Sequence, residues 1–361
     1  MKKILLFLLL CLGSLATQAQ VTCSATAATG SGYSAFTNAG FGIEDPDCVH
    51  AAFGPHITQV YDAELDRNVF VFHSHIVADN DRCQVSDRVR MEIKGGPGTD
   101  AELQHNLGDT SYYRWKFRLD ENFVGASSFC HIFQNKAVGG ADSGFPILTL
   151  TLRTNILELR HNGGDTGTDL GVLAQADLAL FRGKWVEGYL EQVHRETGEL
   201  VLTLKDMQTG TTLLTYSNSS IDLWRTGATY NRPKWGMYRL KNDVLQDEDI
   251  RFADFCVSEV ASALCPGEAV LQPDPTTTRE QTGRSSIRLF PNPTQEQLHI
   301  ALGENQTGTG QLFTLAGQPI GQAFAIPGQI HLDVAGYAKG IYVLTIKLKN
   351  GEPVSIRFIL T

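Results

Sequence analysis

The sequence is short of charge, and the charge it carries is not basic. Only 19% of its 361 residues are Asp, Glu, Lys or Arg, and the formal net charge is −9. A non-specific nucleic-acid binder needs a basic excess, so no nucleic-acid partner is expected. Beyond residue 20 no apolar run approaches the roughly 18 residues of a membrane helix, so no membrane span is expected in the mature form. There is no C-x-x-C and no cysteine–histidine array with zinc spacing, so no metal site is expected from spacing. No G-x-S-x-G occurs, which argues against a serine hydrolase. A sandwich-fold glycoside hydrolase would carry an E-x-D-x-x-E pattern. Glu187-Gly188-Tyr189-Leu190-Glu191 comes nearest and lacks the central aspartate.

What the chain does have is glycine, 35 residues of it, with 42% apolar residues. That is enough apolar material for a large core, and high glycine with modest charge favours a turn-rich all-β protein. Apolar and polar residues alternate in Arg88–Lys94 and in residues 112–119, 147–153, 156–160 and 200–205, and in Trp185–Val193. Such spacing over residues 20–263 predicts one two-sheet sandwich of jelly-roll type.

Residues 1–19 read as a secretory signal peptide. Lys2 and Lys3 precede an apolar run over residues 4–12, and Thr17-Gln18-Ala19 places small residues at −3 and −1 of a cleavage site. Leu10 before Cys11 is too large for a lipoprotein processing site. Six further cysteines remain, and six allow fifteen disulfide connectivities. Cys48–Cys83 is a plausible loop closure, Cys23 could pair with Cys256 or Cys265, and Cys130 sits in an apolar strand pattern that suits a buried free thiol.

Residues 264–284 read as a linker, since 272–284 hold almost no apolar residue. Short alternating segments follow at 298–302, 310–315, 330–334, 341–347 and Val354–Leu360, which predicts a small β-sandwich over residues 285–361. This tail resembles the C-terminal sorting domain of type IX secretion substrates. The resemblance is carried by Leu289-Phe290-Pro291-Asn292-Pro293, Leu315-Ala316-Gly317-Gln318 and Lys339-Gly340-Ile341-Tyr342-Val343-Leu344. It implies the type IX machinery as a partner and a secreted or cell-surface protein exported through the periplasm of a Gram-negative bacterium. A carbohydrate-binding module would instead display a row of exposed aromatics.

Strand parity sorts the polar residues of the main domain. Arg88, Arg90, Glu92 and Lys94 share one face, with Val89, Met91 and Ile93 on the other. Gln134 and Lys136 share a face, and simple alternation puts His131 on the opposite one. Lys234, Gly236 and Tyr238 go together, opposite Trp235 and Met237, and Gly236 leaves open space where a ligand could approach.

In order along the chain, Asp87-Arg88-Val89-Arg90-Met91-Glu92-Ile93-Lys94, Tyr113-Arg114-Trp115-Lys116, His131-Ile132-Phe133-Gln134-Asn135-Lys136, Gly183-Lys184-Trp185-Val186-Glu187 and Lys234-Trp235-Gly236-Met237-Tyr238-Arg239 resemble jelly-roll polysaccharide lyases of the heparin lyase I-like and glucuronan lyase type. The resemblance implies that Tyr238 is catalytic with Lys234 beside it, that Arg90 meets a uronate carboxylate, and that Gln134 contacts substrate. Arg88, Arg239 and His131 are further candidate substrate contacts. The family often has histidine where this chain has Lys136, so Lys136, Tyr238 or His131 could be the base. The implied activity is β-elimination on a uronic-acid polysaccharide. It needs a cation to neutralise the carboxylate and a base for the C5 proton, and it requires no cofactor. A non-catalytic glycan-binding domain is the alternative. The acidic segment 242–250 and Asp254 are weak candidates for a structural calcium ion. The protein is expected to act as a monomer.

Overall fold

The computed structural model describes residues 20–360 apart from 97, 164–167, 243–245, 269–286, 291–293, 303–305, 315–317 and 350–353. The signal peptide, the polar linker and parts of the sorting motifs therefore lie outside the described residues. The chain divides into two compact units at Pro273/Asp274.

The first unit contains β1 (Gln20–Cys23), a short helix α1 (Tyr33–Asn38), β2 (Gly42–Glu44), β3 (Ile57–Asp62), β4 (Arg67–Ser74), β5 (Arg88–Lys94), β6 (Thr110–Leu119), β7 (Cys130–Gly139), β8 (Leu148–Arg153), β9 (Ile156–His161), β10 (Gly171–Asp177), β11 (Trp185–Val193), β12 (Gly198–Asp206), β13 (Thr212–Ile221), β14 (Ala228–Leu240) and β15 (Glu248–Ser258). They form two antiparallel sheets. One has the order β13-β12-β11-β6-β15-β4-β3, with β1 also paired to β15; the other has β10-β9-β8-β7-β14-β5-β2. The chain crosses repeatedly from one sheet to the other, which gives a jelly-roll sandwich.

Alternation explains the layering. Val89, Met91 and Ile93 of β5, Trp235 and Met237 of β14, and Leu200, Leu202 and Leu204 of β12 are all fully buried. Trp115 stacks on Phe133 with ring centroids 5.5 Å apart and lies 5.9 Å from Trp235. Each such side chain contributes about 1.5–3 kcal/mol by leaving water. Gly188 stands opposite Trp115, where a Cβ would come within 2.5 Å of the indole, so only glycine lets that ring lie across β11.

The disulfides are Cys48–Cys83, as the spacing suggests, and Cys256–Cys265. Cys23 therefore does not pair with either C-terminal cysteine. It lies opposite Phe255, so its side chain points to the core face while Cys256 points away. Cys23 and Cys130 are both buried free thiols, and burial pushes each up to about 12, where thiolate chemistry is suppressed.

The second unit holds a three-stranded sheet, Arg288–Phe290, Gln297–Ala301 and Gln329–Asp333, and a four-stranded sheet with Pro319–Ile326 at one edge and Val354–Leu360 at the other. Its core includes Leu298, Ile300, Leu312, Leu344, Ile346 and Phe358.

Candidate active site

Three adjacent strands, β5, β14 and β7, present their polar residues on the outer face of the second sheet. Register sets who meets whom: Arg90 lies opposite Tyr238, Glu92 opposite Gly236, Lys234 opposite Gln134, and Arg232 opposite Lys136.

His131 joins this face against simple parity. The pairing of β7 with β8 slips between His131 and Phe133, so Ile132 is an extra residue and both Ile132 and Phe133 enter the core. This bulge returns His131 to the Gln134 side, opposite Tyr238, with ring centroids 6.0 Å apart. His131 Nδ1 lies 2.6 Å from the Thr151 hydroxyl, which is itself 3.0 Å from that of Thr149. Burial, opposed by Glu92 and reinforced by Arg90 and Lys234, lowers His131 to about 3, so the ring is neutral at physiological pH.

Gly236 does not open a ligand space. Its φ is +142°, and a Cβ there would sit 2.1 Å from the Met91 carbonyl oxygen. The glycine lets β14 approach β5 closely, which is what brings Tyr238 over Arg90.

Between the two ends lies a buried ion-pair network. Lys234 donates to Glu44 and Glu92, each at 2.6 Å, and is 2% exposed. Gln134, also 2% exposed, donates its amide to Glu92. Lys94 reaches Glu44 at 2.8 Å. Burial opposes ionisation of Glu44 and Glu92, but Lys234 and Arg90 outweigh it and hold both carboxyls below the usual range. A glycosidase acid would need a raised carboxyl, so this pair argues against hydrolysis.

Arg90 belongs to that network. Its Nε and NH2 hold Asp81 at 2.8 and 3.3 Å, and NH1 holds Glu92 at 2.6 Å. Its guanidinium carbon stacks 3.5 Å from the Tyr238 ring centroid. Arg90 thus supports Tyr238 and is paired with protein carboxylates. Lys234 and Gln134 are likewise bonded to protein carboxylates. Arg239 is on the wrong side altogether: it faces inward, fully buried, and donates to the carbonyls of Ser74 and Gln246.

Half-buried on this face are Tyr238, Arg88, Lys136, Arg232 and His131, with Lys94 paired to Glu44. Arg88 donates to the Tyr238 hydroxyl at 3.0 Å. Lys136 donates to the Gly144 carbonyl at 2.7 Å, and burial followed by Lys234, Arg90 and Arg232 lowers its amine to about 8. Register separates Tyr238 from Lys136 by six positions of β14, and Arg90 bridges them, stacked on one and acting electrostatically on the other.

Two residues on this face escaped the sequence reading. Arg232 donates to Gly95, while its Nε has no hydrogen-bond partner among the described residues. Tyr230, 8% exposed, has an unpartnered hydroxyl, and burial, opposed by Arg232, raises its phenol. Both share the parity of Lys234 and Tyr238, which was the available signal.

The calcium candidates fare differently. Asp254 Oδ2 is held by Lys116 at 2.8 Å and Arg67 at 2.7 Å, and its Oδ1 accepts from the Ser24 hydroxyl at 2.8 Å. In the acidic segment, Asp247 caps the Ile76 amide and Asp249 pairs with His73, while residues 243–245 lie outside the described residues. A separate cleft of about 550 Å³ on the other sheet is lined by His73, Arg118, Asp249 and Arg251, but these charges are already paired within the protein.

Residues 288–360 match the family described as the secretion system C-terminal sorting domain, so the second unit is a type IX sorting domain. For the whole chain, solved structures with similar folds include family 7 alginate lyase A1-II′ in complex with substrate, at 13% identity, covering 65% of this chain and 99% of that one with a TM-score of 0.46. Another is a marine alginate lyase from Aplysia kurodai, at 12% identity, 66% and 98% coverage and a TM-score of 0.43. A third is an alginate lyase from Pseudomonas aeruginosa, at 14%, 56% and 85%, and 0.38. No curated protein matches the chain as a relative.

Removing residues 285–361 is expected to leave the first unit folded, since that unit has its own core and both disulfides. The truncated chain should stop short of release or surface display. Fractionation of a host with type IX machinery checks this, and normal export of the truncated chain would overturn the sorting role.

Proposed function

We propose that the first unit is a polysaccharide lyase that cleaves a uronic-acid-containing chain by β-elimination, and that the protein is exported for release or surface display. The observation that carries this reading is Lys136, half-buried directly across from Arg232, with an amine that burial and the neighbouring cations Lys234, Arg90 and Arg232 lower to about 8. Such a group is part-neutral near physiological pH and suits a general base.

The chemistry divides among named groups. Arg232, directly across from Lys136, offers the guanidinium that neutralises the uronate carboxylate and makes the C5 proton acidic. The Lys136 amine takes that proton. The C4–O bond breaks as the C4–C5 double bond forms, and the departing oxygen takes that proton from the Lys136 ammonium, since Tyr238 lies six strand positions away. The Tyr238 hydroxyl accepts from Arg88, so its own hydrogen is free to bond a neighbouring sugar. Arg90, stacked beneath, holds the ring in place.

The test is an ultraviolet screen of uronic-acid polysaccharides for the unsaturated product, followed by a pH profile on a substrate that responds. Since the base must be neutral, kcat/KM should climb with pH and level off above about 8. No new ultraviolet absorbance on any such polymer, with retained binding to one of them, would favour a non-catalytic glycan-binding domain.

A further inference from the structure

Away from the candidate active site, three imidazoles converge on one buried carboxylate. His50 and His56 come from the segment between β2 and β3, and His75 and Asp79 from the segment after β4. His50 Nδ1 and His56 Nε2 lie 2.8 and 3.0 Å from Asp79 Oδ1, and His75 Nδ1 lies 3.0 Å from Oδ2. The four ligand atoms all fall within 4.8 Å of one another. We propose that this cluster is a structural zinc site with a His3Asp ligand set.

The donor set fits. Three imidazoles and a carboxylate suit a borderline-soft dication in tetrahedral geometry. With bonds of about 2.0–2.1 Å the edges of such a tetrahedron are about 3.3 Å, so the His–Asp79 spacings of 2.8–3.0 Å would expand slightly, and any wider separation, up to 4.8 Å, would contract. Supporting contacts are in place. His56 Nδ1 is 2.6 Å from Asp47, and Asp47 accepts the Tyr33 hydroxyl at 2.8 Å. That carboxylate fixes the tautomer of His56 and turns Nε2 toward the centre as a lone pair. Asp79 is oriented by the His75 backbone N–H, which donates to Oδ2 at 2.6 Å.

His56 is fully buried, with Asp47 at Nδ1 and Asp79 at Nε2. A dication would sit between Nε2 and Asp79, and its binding would release protons. His73, close by, is excluded because its two nitrogens are taken by Thr58 and Asp249. His50 and His75 are about one-fifth exposed and Phe53 packs over the cluster, 4.3 Å from the His75 ring, which gives the ion a route in.

The site would act on the fold rather than on substrate, because four protein ligands close the coordination sphere. It would cross-link the same two segments as Cys48–Cys83. It would also fix the start of the run Asp79-Asn80-Asp81, whose Asp81 grips Arg90 beneath Tyr238.

The test uses the full chain, stripped with a chelator and titrated with Zn²⁺ against a competing chromogenic chelator. One tightly bound zinc per chain is expected, with the melting temperature rising by about 5–10 °C at a hundredfold excess over Kd. His50→Gln alters a part-exposed ligand and is expected to keep the fold, while weakening zinc binding at least tenfold and losing most of the melting shift. Asp79→Asn should do the same or more, with circular dichroism reporting folding of each. A folded wild-type chain with no zinc binding tighter than tens of micromolar would overturn the proposal. So would zinc binding unchanged in folded His50→Gln, which would move the metal to another pair such as His299 and His331, whose rings lie 3.8 Å apart.

Discussion

Lys136→Ala is expected to lower kcat by about 10²–10⁴-fold on a responsive polysaccharide while leaving the melting temperature nearly unchanged. The side chain makes one protein hydrogen bond, to the Gly144 carbonyl, and is half-buried, so its removal leaves no charge stranded. The residual activity should also lose its rise toward pH 8. Tyr238→Phe keeps the ring stacked on Arg90 and deletes only a hydroxyl six strand positions from Lys136, so it should cost about tenfold or less. Tyr230→Phe tests the nearer phenol, two positions from Arg232: retained activity leaves Lys136 carrying both proton transfers, and a large loss would make Tyr230 the acid. Full activity in Lys136→Ala would remove the lysine from the mechanism.

Lys234→Met is expected to cost about 3–5 kcal/mol of stability. The ammonium is 2% exposed and lies 2.6 Å from both Glu44 and Glu92, so the variant buries two carboxylates with their shared cation gone. Replacing a full buried network by apolar side chains can be neutral, whereas removing one partner is not. The double variant Lys234→Met/Glu92→Gln should therefore recover part of the loss. Denaturant midpoints at unchanged slope give both numbers. A loss under about 1 kcal/mol would mean that water reaches the carboxylates and that the network is not sealed.

These residues also mark where the sequence was readable. The strands and inward residues of β5, β11 and β14 follow from alternation, because a buried apolar face and a solvated polar face leave a period of two in the chain. The Cys48–Cys83 closure was also accessible from spacing. Partner identity was not. Arg90, Lys234 and Gln134 have the chemistry of substrate ligands, yet all three meet Glu92, which parity placed on their face, while Asp81 and Glu44 join from outside the alternating pattern. Arg239 follows Tyr238 directly and must face the other way, so its inward position was open to parity reasoning. The histidine cluster draws on two segments that only the fold brings together, and no short ligand spacing announces it.

The bulge at Ile132 has a wider consequence. On a regular strand, phase is inherited: fixing one side chain's face fixes all the others. Here β7 carries a phase break, so the Gln134–Lys136 stretch and His131 are placed by separate rules. A change that rephases one side of the break leaves the facing of the other side unchanged, while Arg90, stacked on Tyr238 and acting on Lys136, still couples their charges.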